Sequence, residues 1–392
     1  MKPDATHPAS LPRNVRVLGY ASLLNDVASE MIYPLLPQFL LTAIGGTKLH
    51  LGVIEGVADS AASLLKLWSG AWSDRARRRK AFIIAGYSLA AAARPLVGVA
   101  AAPWHVFAAR SADRIGKGLR AAPRDALIAD STPPESRGRA YGFNRAMDHL
   151  GAAIGPLLAT AFLLAWPGQY RALFLLSIVP GLAVVALIAL GLRETRPTAD
   201  AAIAPPSLAL APLGGRFRWF LAALVVFTLG NASDAFLLVR AGELGVPTSL
   251  LPVLWCAFHV VKSGGSMVTG RAVDRLGPRP MIIAGWLVYA LVYVAFAAAS
   301  QTWHVWALFG AYALFFALTE PAERTLAAML AGKEKKGLAF GWFNFAVGVA
   351  ALPSSVIFGG IYEAWGAAAA FGWGAALALV AAAMLALVGR AR

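Results

Sequence analysis

The chain has 392 residues, 58% of them hydrophobic and only 14% charged, yet its formal net charge is +15. Soluble proteins are roughly 25% charged, so there are too few charges here for a soluble surface, and the hydrophobic content excludes disorder. A mean hydropathy of +0.63 excludes a nucleic-acid binder that would use the basic excess, which leaves a multi-pass membrane protein at about 20 apolar residues per crossing.

Met1 to Asn14 has no apolar core and is no cleavable signal peptide, so the first hydrophobic span is itself the anchor. Apolar runs between loop signals predict twelve helices, all-α, near 15–41, 51–73, 81–102, 104–129, 140–165, 170–192, 216–240, 248–270, 280–300, 303–331, 338–362 and 366–389. The first span places Ser22, Asn25, Asp26, Ser29, Glu30 and Tyr33 on one arc. The second gathers Glu55, Asp59, Ser63 and Lys66 within ~80°.

The fourth span is the most charged. At ~100° per residue, Arg110, Asp113, Arg114, Lys117, Arg120, Arg124 and Asp125 share a face of about 140°. That clustering predicts a helix with one wet or ion-paired face, with Pro123 able to kink its end. The fifth span adds Asn144, Arg145, Asp148 and His149.

The segment 193–215, with Pro197, Pro205, Pro206 and Pro212, reads as a cytoplasmic linker between halves 1–192 and 216–392. The second half is thinner in charge: Asn231 and Asp234, then His259 and Lys262, then Glu320, Glu323 and Arg324.

Lys and Arg test this map. One alternating set of segments holds 22 cations, including Arg75 to Lys80, Arg137, Arg139 and Arg275, while the opposite loops hold only Lys48 and Arg171. The positive-inside rule then puts both termini in the cytoplasm. Eleven of the 35 cations fall within spans or at their edges. A charge at the bilayer centre costs roughly 2.5–3.5 kcal/mol, so these must face protein or water. The single Cys256 excludes an internal disulfide or cysteine-rich metal site, and no cofactor or metal is expected.

The halves repeat at an offset near 200. Gly70-Ala-Trp-Ser-Asp74-Arg75 matches Gly270-Arg-Ala-Val-Asp274-Arg275, and Arg137-Gly-Arg-Ala-Tyr-Gly142 matches Lys336-Gly-Leu-Ala-Phe-Gly341. Asn25-Asp26 to Glu30 has a weaker echo in Asn231 to Asp234. Parallel six-helix repeats around a midplane site are a transporter architecture.

On these residues the whole chain resembles the major facilitator superfamily of secondary transporters. Its signature loop G-x-x-x-D-R-x-G-x-R-R is matched by Gly70, Asp74, Arg75, Arg79 and Lys80, with Arg77 where Gly is usual, and again by Gly270, Asp274, Arg275, Gly277 and Arg279. The fourth-helix pattern of proton-coupled members, R-x-x-Q-G-x-G-x-A, is met at Arg114, Gly118 and Ala122, with Lys117 and Arg120 departing from it. The fifth-helix antiporter pattern is met at Gly142, Gly151, Gly155 and Pro156, but ends in Ala159-Thr160 instead of a Gly pair. The run Asp113 to Asp125 is similar to that of a bacterial subgroup.

The resemblance implies two six-helix bundles rocking about a central site. Carboxylates withdrawn from water can exchange protons near neutral pH, so Asp26 and Glu30, with Asp59, Arg114, Asp125 and Asp148 around them, are the proton-coupling candidates. Arg suits carboxylate or phosphate groups. Arg120, Arg124 and Arg145, then Lys66, Lys262, Asn25 and Tyr33, are therefore the substrate-contact candidates. Gly70, Asp74, Arg75, Gly142, Gly151, Gly155, Pro156, Gly270, Asp274 and Arg275 are the conformational candidates.

The function expected is proton-coupled export of a small anionic or zwitterionic organic molecule across the inner (plasma) membrane by a monomer. Uptake by symport is the alternative. An ATP-driven pump lacks its G-x-x-x-x-G-K-S/T loop. A membrane enzyme acting on a lipid phosphate lacks G-x-S-x-G and would not need the repeat. A non-transporting receptor would bind without counterflow.

Overall fold

The computed structural model describes residues 11–133, 136–194, 210–331 and 336–387. Most of the expected linker, the cations Lys2, Arg196, Lys333, Lys335, Arg390 and Arg392, and the side-chain surroundings of Asp74, Gly270, Arg271 and Lys336 lie outside the described residues. What is described is helical throughout, with no strand among the described residues.

In the first half, α1 is Arg13–Glu30, α2 Lys48–Ala76, α3 Arg79–Ala93, α4 Pro103–Asp130, α5 Arg137–Ala165, α6 Tyr170–Leu176 and α7 Ile178–Gly191. In the second, α8 is Gly214–Gly230, α9 Ala235–Glu243, α10 Leu251–Leu276, α11 Pro278–Ala298, α12 Thr302–Ala331 and α13 Lys336–Leu387. Gly366, with φ 82°, divides α13 where the sequence separates its last two spans.

Four expected spans are not continuous α-helix. The span 15–41 leaves α-geometry after Glu30, passing through a 3₁₀ turn, Tyr33–Leu35, and a π turn, Phe39–Ala43. Pro34 and Pro37 remove two backbone donors there. The span 81–102 becomes a 3₁₀ stretch, Arg94–Val99, around Pro95. The span 170–192 breaks at Ser177, whose hydroxyl donates to the Phe174 carbonyl at 2.7 Å. The span 216–240 opens at Asn231–Asp234. Hydrophobic periodicity reports burial, not backbone bonding, so it runs through such breaks. Conversely α4 stays helical across Pro123.

Seven helical stretches among the described residues are long and apolar enough to cross a membrane: Arg79–Val99, Arg137–Ala165, Tyr170–Gly191, Gly214–Glu243, Pro278–Ala298, Thr302–Ala331 and Leu338–Leu387. Helices α1, α2, α4 and α10 fall outside that set and carry many of the chain's intramembrane charges.

The halves are held together differently inside. The second half has an aromatic core. Phe227 stacks on Trp286 at 4.8 Å and Tyr289 on Tyr293 at 4.0 Å, and Phe296 stacks on Phe371 at 5.5 Å. The first half has its own apolar cluster, with Val15, Leu18, Ile83, Tyr87, Leu127 and Ile188, further apolar packing around Leu36, Phe39, Leu51, Val106 and Phe174 that is continuous with the second half's core, and a set of buried ion pairs.

Between halves, α2 packs on α13 and α5 on α10. Helices approach closely where small residues meet. A Cβ on Gly52 would collide with the Ser355 carbonyl, and one on Gly56 would lie 3.0 Å from Leu352 Cα. Ser60 donates to the Gly348 carbonyl at 2.6 Å, Thr160 to the Ser249 carbonyl at 3.1 Å, and Cys256 Sγ lies 3.6 Å from the Ala153 carbonyl. These contacts sit toward the Lys48 end of the bundle. At the Arg75 end, Gly142, Gly264 and Gly341 face open space, and Trp68, Trp72, Val260 and Val261 are exposed. Close contacts between the halves therefore gather toward the Lys48 end.

Trp104, Trp166, Trp303 and Trp365 are all exposed at helix ends on the Lys48 side, the arrangement of an interfacial aromatic belt. At the other side, Arg77 holds φ 50° between α2 and α3, while its repeat partner Gly277 holds φ 84° between α10 and α11.

Candidate functional site

A buried ionic cluster joins α2, α3 and α4. Arg110 grips Glu55 with two parallel bonds, Nε to Oε1 at 2.8 Å and Nη2 to Oε2 at 2.9 Å. Asp113 lies 3.5 Å from Arg110 and 2.9 Å from Arg94 Nε. Arg94 also donates to the Asn25 carbonyl at 3.0 Å, tying α1 to the cluster. Two cations and two anions balance here, with Glu55 1% and Arg110 7% exposed, as a dry cluster requires. Arg110 further covers the Tyr33 ring at 4.8 Å.

Toward the Arg75 end a wetter set follows. Arg114 lies 3.7 Å from Asp59. Arg124 reaches Asp125 at 3.1 Å, Asp148 at 3.9 Å and the Ser22 hydroxyl at 3.1 Å. Arg145, well exposed, lies 3.7 Å from Asp148. Asn25 donates to Asp26 at 2.9 Å.

The second half contributes fewer groups. Tyr312 donates to Asp234 at 2.6 Å beside the break between α8 and α9. Lys262 lies 3.8 Å from Glu320 and 3.8 Å from the centre of the Phe316 ring, and Arg324 lies 3.7 Å from Glu320. Trp286 donates to Glu323 at 3.3 Å. Three more side-chain contacts cross between halves at these groups: Trp255 donates its indole N–H to Glu30 at 2.8 Å, and the Ser233 hydroxyl lies 3.5 Å from both Tyr33 Oη and Glu55 Oε2.

The eleven intramembrane cations now separate. Eight have a carboxylate within ion-pair distance: Arg94, Arg110, Arg114, Arg124, Arg145, Arg240, Lys262 and Arg324. Three have none among the described residues: Lys66, Lys117 and Arg120. Arg120 is 5% exposed and lies over the Tyr87 ring at 4.5 Å, so the structure places this substrate-contact candidate inside the first half. Lys66 and Lys117 are exposed. Charges near Lys66 include Arg124, Asp125, Arg145 and, from the second half, Arg324; those near Lys117 include Asp26 and Asp59. Lys66 therefore lies near the second half, whereas the charges about Lys117 all belong to the first.

Lys117 was not among the substrate candidates. The helical wheel put it on the charged face of α4, and the family pattern has Gln there, but that departure read as a mismatch and not as a binding group. The aromatic side chains Trp255, Phe258 and Tyr312 are buried in the core, whereas Trp68 is exposed. Among the conformational candidates, Gly151 and Gly155 seat α5 on α1, with a Cβ on Gly155 falling 2.7 Å from the Val27 carbonyl, and Pro156 follows within α5. A Cβ on Gly70 would touch Ala122 at 3.3 Å. Gly142 faces open space, and Arg75, Asp274 and Arg275 are exposed.

The arrangement can attract an anion. A cleft lined with an excess of one charge sign concentrates the opposite ion, and unpaired ammonium groups cost nothing to release from a partner.

The profile of the Major Facilitator Superfamily matches residues 18–261 and 220–392. An uncharacterized MFS-type transporter of Methanocaldococcus jannaschii, MJ1317, is 30% identical over 359 residues, covering 90% of this chain and 89% of its own. The multidrug resistance protein MdtH of Edwardsiella ictaluri is 32% identical over 161 residues, 40% of each chain. Among solved structures, a bacterial homolog of the human lysosomal transporter Spinster, inward-facing and occupied, superposes with a TM-score of 0.74 at 17% identity over 95% of this chain and 96% of that one. The nucleoside transporter NupG gives a TM-score of 0.82 at 10% identity, over 96% of this chain and all of that chain (100%).

Proposed function

This chain belongs to the major facilitator superfamily, and we propose that within it the protein carries a small organic anion or zwitterion, with the anionic group received by Lys66 and Lys117. Membership makes it a multi-pass membrane transporter of small molecules and not an enzyme. The observation that carries the substrate class is the pairing pattern: eight of the eleven cations in the expected spans have a carboxylate within ion-pair distance, while the exposed Lys66 and Lys117 have none among the described residues.

The finer reading is as follows. Twelve crossings form two six-helix bundles, 1–192 and 216–392, joined by 193–215, with both termini in the cytoplasm of a cell whose inner (plasma) membrane holds the protein as a monomer. The Arg75 end is then cytoplasmic and the conformation described above is inward-open. The bundles rock to expose the site on each side in turn. Proton exchange at Asp26 and Glu30 drives export, a direction supported by the likeness of 161 residues to a multidrug resistance protein.

One observation favours uptake by symport instead. Lys117 lies in electrostatic reach of Asp26 and Asp59. A substrate anion drawing on Lys117 leaves those carboxylates less well neutralised, which favours a proton there in company with the anion and not in exchange for it.

The test begins with a thermal-shift panel of organic anions, chelates and drugs, followed by counterflow of each hit in proteoliposomes under an imposed proton gradient of either sign. Lys66→Ala and Lys117→Ala each weaken binding of an anionic hit about tenfold, the worth of one charge-assisted hydrogen bond. Liposomes that move only cations, or unchanged transport in both variants, overturn the substrate class; the gradient sign that drives accumulation decides between export and uptake.

A further inference from the structure

Lys48 and Arg171 are the two cations in the basic-poor set of loops, and the structure accounts for each. Arg171 Nη1 donates to the carbonyls of Gly98 and Ala100 at 3.0 and 2.7 Å, closing the turn after α3 within the first half. Lys48, at the start of α2, makes its contacts in the other half. Its ammonium lies 3.0 Å from Glu243 Oε1 at the end of α9, and 4.6 Å from the Tyr362 ring centre in α13. Its backbone N–H donates to Glu363 Oε2 at 2.8 Å. Tyr362 in turn donates its hydroxyl to Glu243 Oε2 at 2.7 Å, so the partner carboxylate is itself held. Gly359 lies directly against the Lys48 carbonyl, where a Cβ would come within 2.6 Å.

We propose that Lys48, Glu243 and Tyr362 form a latch across the two halves that holds the outer face shut and sets the balance between the inward-open and outward-open states. The proposal rests on the alternating-access reading above. The contacts of Lys48 with Glu243, Tyr362 and Glu363 join helices that must part when the outer face opens, so their free energy is present in one state and absent from the other, the condition for shifting an equilibrium; the Tyr362–Glu243 bond stays within the second half and holds the carboxylate in place. The Lys48 and Glu243 side chains are 25% and 32% exposed. A cavity of about 340 Å³, lined in part by Gln38, Thr47, Glu243 and Glu363, lies beside them. Water can therefore replace the partners as they separate, which keeps the latch reversible. A fully buried pair would leave an unpaired charge in the open state and weld the halves together.

The chain supplies its own reporter. Cys256 is its single cysteine, buried on α10 against the Ala153 carbonyl of α5 at 3.6 Å. Opening the outer face draws α10 from α5 and uncovers the thiol.

The experiment labels Cys256 with a membrane-impermeant maleimide added outside right-side-out vesicles. It compares the wild type with Lys48→Met, Glu243→Gln, Lys48→Arg and the Lys48→Met/Glu243→Gln pair, each checked for folding by gel filtration and melting. Labelling is about fivefold faster in Lys48→Met and Glu243→Gln, the upper worth of a partly exposed ion pair. It is no faster still in the double variant, and it stays near the wild-type rate in Lys48→Arg, which keeps the charge. Where Lys48→Met does not fold, Glu243→Gln carries the comparison. Wild-type labelling with unchanged rates in both single variants overturns the latch, as does Lys48→Arg labelling as fast as Lys48→Met. Absence of labelling in the wild type and every variant overturns alternating access itself, and the latch with it.

Discussion

Removing Glu55 tests the buried cluster most directly. Glu55→Met deletes both acceptors of the Arg110 fork and leaves Arg94 and Arg110 sharing Asp113 alone, at 2.9 and 3.5 Å. Two buried cations against one anion is the arrangement a dry interior tolerates worst. Breaking a buried pair by removing one partner costs about 3–5 kcal/mol, and Asp113 keeps the loss near the lower figure. With an unfolding entropy of roughly 2.1 cal/mol/K per residue over this length, about 3 kcal/mol lowers the melting temperature by about 4 °C. Helices that stay formed in lipid reduce that entropy, which makes about 4 °C the floor. The assay is a tryptophan-fluorescence melt of purified protein in nanodiscs. Its control is Glu55→Met/Arg110→Met, which removes both charges and leaves Arg94 and Asp113 as a balanced pair. The double variant recovers at least half of the lost stability. A single variant that melts within 1 °C of the wild type, or a double variant that melts below both singles, refutes the account of the cluster as an electrostatic unit.

Other outcomes follow from particular residues. Arg77 sits in the left-handed region at φ 50°, a conformation costing a side chain about 1 kcal/mol that glycine does not pay; Arg77→Gly therefore melts higher than Arg77→Ala, which lacks the same side-chain contacts, and equal melts would remove strain from the explanation. Gly52→Leu wedges α2 from α13 at the outer interface, so it speeds maleimide labelling of Cys256 while the fold survives. Gly155→Leu forces α5 off α1 within one half, so its expected result is loss of a monodisperse gel-filtration peak. Binding of an anionic hit to the wild type weakens as salt rises from 0.05 to 0.5 M, because the Debye length shortens from about 14 to about 4 Å; in Lys66→Ala/Lys117→Ala the salt dependence is flatter, and an equally steep dependence would move the anion site elsewhere.

The architecture was readable from the sequence because lipid leaves few options. Apolar runs and the motif at Gly70 and Gly270 point to the all-helical family whose profile matches the chain. The ion pairs were partly readable: Arg110 with Asp113 and Arg124 with Asp125 are close along one helix face, and both pairs form. Pairs between helices were not readable. Nothing in one sequence says that Glu55 takes Arg110, that Trp255 donates to Glu30, or that Lys48 crosses to Glu243, since such partners are set by helix rotation and depth. The role proposed for Lys117 was hidden for the same reason. A charge is informative when it is left unpaired, and that is known only after every other charge has found its partner. Arg120, chosen for its residue type, lies against Tyr87 instead.

The two halves differ in what holds them together, and that difference sets how freely each can change. The second half is a lattice of interlocked rings around Trp286, Tyr289 and Phe371, where altering one side chain disturbs several neighbours. The first half adds to its apolar packing a set of charges on α2 and α4, and a charge can be moved, reversed or traded for its neighbour without refilling a volume. Descendants of this chain can therefore acquire new cargo by redistributing a few charges in one half, while the other is inherited as an unchanging lever. Diversity within such a lineage should accumulate on the ionic side of the molecule and stay sparse on the aromatic side.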